Sequence, residues 1–381
     1  MDSRRRGWWS WYAVVALVAC VVAAPAPAAA YRVDVHAHAT VGTTTCPAAA
    51  DLITAMDGEG LDVMILMSAP FSVEMTYLAS TSDLERCFPT GTYGSRIKFM
   101  YGGAELNHLM HAAGRYENVP SADRWDPTDP LVGLYPNGCV ALDCTPLVPG
   151  IEKAVTIEDE VITATDTKYY DEFVALAEAA AASGRYVGFG EIAGLHYSLH
   201  EGHGYINFPA NHPWMLRLVD IAAAAPTPMV IDLHLEMTAT TKTELEELLA
   251  RNRSVNIILE HAGWSTYGTA TAAILDSLMS AFSNLYLALK HCQHALPAGI
   301  NACYLDSTGT MRPEWATLLS TYADRIMIGT DAKYWSDATP VATTMSDEFR
   351  PDLQAVMNYF RGTATKAAIA GGTARTLFRL P

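Results

Sequence analysis

From Tyr31 to the C-terminus, short apolar runs alternate with longer stretches whose apolar residues recur at helical spacing. Eight runs read as strands: 31–38, 61–68, 96–101, 186–191, 228–234, 255–261, 284–290 and 325–331. Several (VMILM, MVIDL, NIIL, IMIG) are continuously apolar, as parallel strands buried on both faces are. Segments 47–57, 171–183, 213–225, 243–251 and 312–323 read as amphipathic helices, and two more follow Pro351. This alternation predicts an α/β fold, a closed (β/α)8 TIM barrel. The interval from about 102 to 170 is too long for one βα unit and is rich in Pro, Gly and Asp. It reads as a lid-like loop insertion over the barrel mouth, not a second domain.

Polar residues close several of these strands. His36 and His38 end the first, two positions apart and therefore on one face. Glu191 ends the fourth strand, His234 the fifth, His261 the sixth and Asp331 the eighth. The carboxyl ends of barrel strands form the active-site face, so six metal-competent side chains are predicted on one rim. Taken singly, each has an ordinary explanation. A strand-end histidine is often hydrogen-bonded in a core, an aspartate often caps a helix, and a glutamate often pairs with a surface lysine. Taken together, they are too many titratable groups to bury without compensation, which a divalent cation supplies.

With Arg312-Pro313-Glu314-Trp315 before the last strand and Ala374-Arg375-Thr376-Leu377-Phe378 near the end, this arrangement resembles the amidohydrolase superfamily. The likeness covers 31–381 and is greatest to its amidohydrolase-related branch of metal-dependent hydrolases. It implies that His36, His38 and Asp331 hold a first metal. His234 and His261 would hold a second, or one of them would act on substrate. Glu191 stands where many members carry a carboxylated lysine, and Gly372-Thr373-Ala374 departs from the family's usual Asn-Ala. The resemblance implies one or two divalent ions, Zn²⁺ first, with Mn²⁺, Co²⁺, Ni²⁺ and Fe²⁺ also compatible. The chemistry expected is attack of a metal-activated water on an ester, lactone, amide or phosphoester, with Asp331 as general base. Two rivals stand beside it. One is a mononuclear decarboxylase, a carbon–carbon lyase on the same barrel. The other is an exported binding protein without turnover.

Further polar residues follow the same strands. His196, Trp264, His291 and Lys333 are the substrate-binding candidates, each just past a strand that carries or neighbours the site. His200 and His203 share that placement and read equally well as solvated loop residues, His294 is a weaker candidate for substrate contact, and Trp335 is a further candidate for shaping specificity. His108 and His111, spaced to share one face of a lid helix, read better as solvated surface, and Arg115 either anchors an acidic substrate or pairs with Glu117.

A formal net charge of −16 disfavours nucleic acid and anionic lipid as partners. A small molecule is the expected partner, and a homo-oligomer stays open. Residues 1–30 form a separate object: Arg4-Arg5-Arg6, an apolar run to Ala24, then Pro25-Ala26-Pro27-Ala28-Ala29-Ala30. This reads as a secretory signal cut before Tyr31, which makes the mature protein secreted or periplasmic and free of the membrane. The apolar run is also just long enough to stay as an uncleaved anchor. Without Cys20, six cysteines remain. An even number in an exported chain suggests disulfides, with Cys139–Cys144 and Cys292–Cys303 close in sequence and Cys46–Cys87 left over. N-terminal sequencing of the exported protein is expected to begin at Tyr31. A start at Met1 in a detergent-dependent protein would establish the anchor instead.

Overall fold

The computed structural model describes residues 32–39, 46, 49–70, 80–112, 167–196, 206–263, 270–292, 302–334 and 351–381. Eight parallel strands form the frame: β1 (Val33–Ala39), β2 (Val63–Leu66), β3 (Ile97–Gly102), β4 (Gly188–Ala193), β5 (Val230–His234), β6 (Ile257–Ala262), β7 (Leu285–Leu289) and β8 (Ile326–Ile328). Each pairs with the next, and β8 pairs with β7 on one side and β1 on the other, so the sheet closes into a barrel. Ala332–Tyr334 carries the last strand further along β1 after a break. Each predicted strand is present.

The flanking helices include Ala49–Glu59, Thr167–Ser183, Pro213–Ala224, Ala239–Arg251, Pro313–Thr321 and Pro351–Tyr359. The helix Ala239–Arg251 starts earlier than its apolar spacing predicts, because Thr238 and Thr241 cap its first turn reciprocally. Helices Thr81–Cys87 and Ala272–Ala281 are not in the sequence-based reading, and Glu105–Ala112 is the helix that the spacing of His108 and His111 suggests. The first is set by a Ser80–Asp83 capping box rather than by an apolar stripe. Cys46–Cys87 and Cys292–Cys303 are disulfide-bonded. Cys139 and Cys144, the 1–30 segment and most of the interval 102–170 lie outside the described residues.

Alternation along the strands divides the core in two. Met64 and Leu66 join the large apolar layer shared with the helices, whereas Val63 and Ile65 join Val33, Val35, Met100, Val230, Ile258 and Met327. Such burial on both faces is what makes the strand sequences continuously apolar.

The regular pairing fails at four places, and each holds a predicted site residue. Register shifts fall between Asp34 and Ala37 in β1, between Phe189 and Ile192 in β4, and between Leu259 and Ala262 in β6. The fourth is the break after β8, which contains Asp331. His261 and Asp331 have left-handed backbones, with φ of 57° and 55°. Irregularities of this kind re-aim side chains beside functional sites. Asp34 holds the β8 break in place: its Oδ1 accepts the Thr330 amide at 3.0 Å and its Oδ2 accepts the Thr330 hydroxyl. Asp331 N–H then donates to the His36 carbonyl at 2.8 Å.

Close approach is required where β3 ends beside β4. Gly103 N–H donates to Gly190 O at 3.0 Å, and a Cβ at Gly103 would lie 1.7 Å from Ser68 O. Gly103→Ala is therefore expected to lower stability by about 1–3 kcal/mol through forced backbone displacement. Thermal unfolding followed by circular dichroism would read it, and an unchanged midpoint would show that this approach is not needed.

Candidate metal centre

His36 and His38 project from β1 with Nε2 atoms 3.1 Å apart, and both residues are buried. Their other ring nitrogens face acceptors. His38 Nδ1–H donates to the Met67 carbonyl at 2.9 Å, and His36 Nδ1–H to Asp232 Oδ1 at 3.1 Å. In a neutral ring so held, Nδ1 keeps the proton and Nε2 presents a lone pair. Asp331 Oδ1 is 3.1 Å from His38 Nε2, and Glu191 Oε2 is 3.3 Å from it. Once those rings are neutral, two lone pairs and two carboxylate oxygens face one small volume, and the donor set fits a divalent cation.

Glu191 is steadied from outside the barrel. Asn107, on the helix Glu105–Ala112, donates to the Glu191 carbonyl at 2.6 Å and accepts the Ala193 amide at 2.9 Å. His234 lies beyond Glu191. Its Nδ1 is 3.0 Å from Glu191 Oε1, and its Nε2 is 3.4 Å from Glu236 Oε1. His261 Nε2 lies 3.6 Å from Asp331 Oδ2, which also meets the Lys290 ammonium in a close ion pair.

Contacts therefore link all six predicted ligands. His36, His38 and Asp331 form one group of closely spaced donor atoms, and His36, Glu191, Glu260 and His261 form a second. His234 falls outside both groups, although it touches three members of the second. Glu260, Asp232, Glu236 and Lys290 were not expected from the sequence as members of the site. Asp232 had a signal, being two residues before His234 and thus on its face of the strand. Glu260 had none, because strand alternation puts it opposite His261.

Electrostatics follow from this packing. Burial alone would lower His38, but Asp331 and Glu191 hold it up at about 9. Burial also opposes protonation of His36 and His234. Glu260 and Asp232 outweigh it at His36, and Glu191 and Glu236 outweigh it at His234, so both rings are held well above their usual value. Burial would raise Glu191, but the three imidazoles hold it well below the carboxylate range. His261 moves the other way, driven down by burial and by Lys290. The carboxylates that keep three imidazoles protonated would equally hold a metal in place of those protons.

Among the substrate candidates, His291 is half-buried beside Lys290, with its titration pushed down to about 4 by burial and then by Lys290. For His196, Lys333, His108 and His111 the side chains lie outside the described residues. Trp264, Trp335, His200, His203, His294, Arg115 and Glu117 lie wholly outside them.

The sequence model of the amidohydrolase family matches residues 33–380. No curated protein matches the chain. Similar solved structures include an amidohydrolase from Burkholderia multivorans with bound zinc, at 14% identity and a TM-score of 0.44, covering 92% of this chain and 100% of that one. A dihydroorotase from Campylobacter jejuni has 10% identity and a TM-score of 0.46, covering 92% and 84%. Amidohydrolase 2 from Bifidobacterium longum subsp. infantis has 11% identity and a TM-score of 0.43, covering 93% and 100%.

Lys290→Met removes the ammonium beside the buried Asp331 carboxylate. In chelator this is expected to cost about 3–5 kcal/mol, the usual penalty for stripping one partner from a buried pair. With excess divalent metal the loss should be smaller, because a bound cation takes over the neutralisation. Urea unfolding under both conditions measures the difference, and equal losses would exclude a cation at Asp331.

Proposed function

The chain belongs to the amidohydrolase family, and on that footing we propose that it is a metal-dependent hydrolase of a small ester, lactone, amide or phosphoester. The observation that carries this reading is the convergence of His36 Nε2, His38 Nε2, Glu191 Oε2 and Asp331 Oδ1 on one buried volume. His36, His38 and Asp331 would hold one divalent ion, and Glu191 and His261, with His234 beside them, a second. Such an ion, when bound, supplies Lewis acidity that makes a water acidic near neutral pH and polarises the bond to be cleaved.

The remaining work falls to the protein. Asp331 sits at the rim with its Oδ2 held by Lys290 and its Oδ1 turned toward His38. From there it takes the proton of the attacking water and returns it to the leaving group. Its left-handed backbone fixes the carboxylate where a regular strand would not. Lys290 holds the group in a close ion pair and orients it. His291, kept from charging by burial and Lys290, is assigned to substrate contact. His196, Trp264 and Lys333 follow site strands and are assigned to substrate as well. The disulfides Cys46–Cys87 and Cys292–Cys303 suit an oxidising compartment, so we place the enzyme outside the cytoplasm.

The completeness of the His36, His38 and Asp331 group without Glu191 favours a second reading, a single-metal decarboxylase. One screen separates them: ester, lactone, amide and phosphoester substrates beside carboxylic acids monitored for CO₂. Hydrolysis abolished by chelator, and reduced about 10²–10⁴-fold in Asp331→Asn, is the expected result. Chelator-insensitive hydrolysis would overturn the metal-dependent reading, and CO₂ release alone would transfer it to the lyase.

A further inference from the structure

The Glu260 carboxylate is fully buried against three histidines, yet it is surplus to the hydrogen bonds those rings make. Its Oε2 lies 2.8 Å from His36 Nδ1, and its Oε1 lies 2.7 Å from His234 Nδ1 and 3.4 Å from His261 Nδ1. These are close ion-pair contacts rather than well-aligned hydrogen bonds, and the one to His234 comes nearest to a hydrogen bond. The rings are already served. His36 Nδ1 bonds Asp232 Oδ1 at 3.1 Å, and His234 Nδ1 bonds Glu191 Oε1 at 3.0 Å. The role of an orienting carboxylate at His36 is thus filled by Asp232, and at the far side of His234 by Glu236 at 3.4 Å.

A carboxylate removed from water and held only by contacts with rings that already have other partners is costly to bury. This one is also delivered to the site by a special device. Strand alternation would send Glu260 and His261 to opposite faces, and the left-handed backbone at His261 lets both reach one site. Glu260 shares with His36, Glu191 and His261 a set of donor atoms that all lie within 4.8 Å of one another.

We propose that Glu260 is a direct ligand of the second divalent cation and makes that position favour an oxygen-preferring ion such as Mn²⁺. The inference rests on the metal-dependent reading above. His36 directs Nε2 to His38 and belongs to the first position, which is rich in imidazole. The second position is left with two carboxylates, Glu191 and Glu260, beside His261 and His234. Carboxylate donors suit Mn²⁺ better than they suit softer ions, and imidazole suits Zn²⁺.

The test uses metal-free wild-type protein, Glu260→Gln and Asp232→Asn, each titrated separately with MnCl₂ and ZnCl₂. Bound metal is counted by plasma mass spectrometry, and affinities come from calorimetry. Wild type is expected to take about two equivalents. Glu260→Gln should keep the first and weaken the second at least about 10-fold, with a larger loss for Mn²⁺ than for Zn²⁺. Asp232→Asn, which disturbs only the orientation of a ligand ring, should weaken both ions in similar proportion, about 10–100-fold. Retention of both equivalents with the wild-type Mn²⁺/Zn²⁺ ratio would overturn the proposal. So would an equal loss for both ions. A wild type that binds one equivalent, unchanged in Glu260→Gln, overturns this inference alone. A wild type that binds none overturns the metal-dependent reading itself.

Discussion

The contact on which the rest of the barrel depends is Asp34 with Thr330. One carboxylate accepts both the amide and the hydroxyl of Thr330, and so seals the first strand against the last. Closing a ring between residues so far apart in sequence carries a large entropic cost, recovered only when the strand contacts form. The seal carries its own cost, since burial pushes Asp34 up to about 6 while the Thr330 hydrogen bonds pull it back. In return, the β8 break is held in a single conformation. Asp331 N–H meets the His36 carbonyl there, and the two ends of the chain contribute to one site.

The site is built by local departures from regular sheet rather than by the sheet itself. A regular parallel strand offers every second side chain to one face. The shifts in β1, β4 and β6 and the break after β8 re-aim histidines and carboxylates that would otherwise be spaced by that rule. His261 and Asp331 adopt left-handed backbones that side chains other than glycine rarely take. Such conformations persist because the surrounding ring over-determines them. Asn107 adds a brace of the same kind, tying the Glu191 carbonyl and the Ala193 amide to a helix that begins after β3.

Charge gives these departures their purpose. Glu191, Asp232, Glu260 and Asp331 are buried together, and Lys290 brings an ammonium against Asp331. Three imidazoles respond by holding protons above their usual range. Protons and a divalent cation are interchangeable answers to the same local excess of negative charge. That exchange links the stability of the barrel to its chemistry.

The chain by itself determined the barrel, because strands buried on both faces must be continuously apolar and must alternate with helices that cover them. It also determined which strand ends carry His36, His38, Glu191, His234, His261 and Asp331, since parallel strands fix which end faces the mouth. Helix starts were less legible where a cap sets them, as at Thr238 and Ser80. Only the tertiary structure decided how the six side chains group. Pattern reasoning treats every strand as regular, and the four irregularities lie at the residues that matter. The left-handed turn at His261 brought Glu260 into the site against strand periodicity, where it meets His234. Asp232 and Lys290 acquired their roles from neighbours distant in sequence, through contacts that no local spacing encodes.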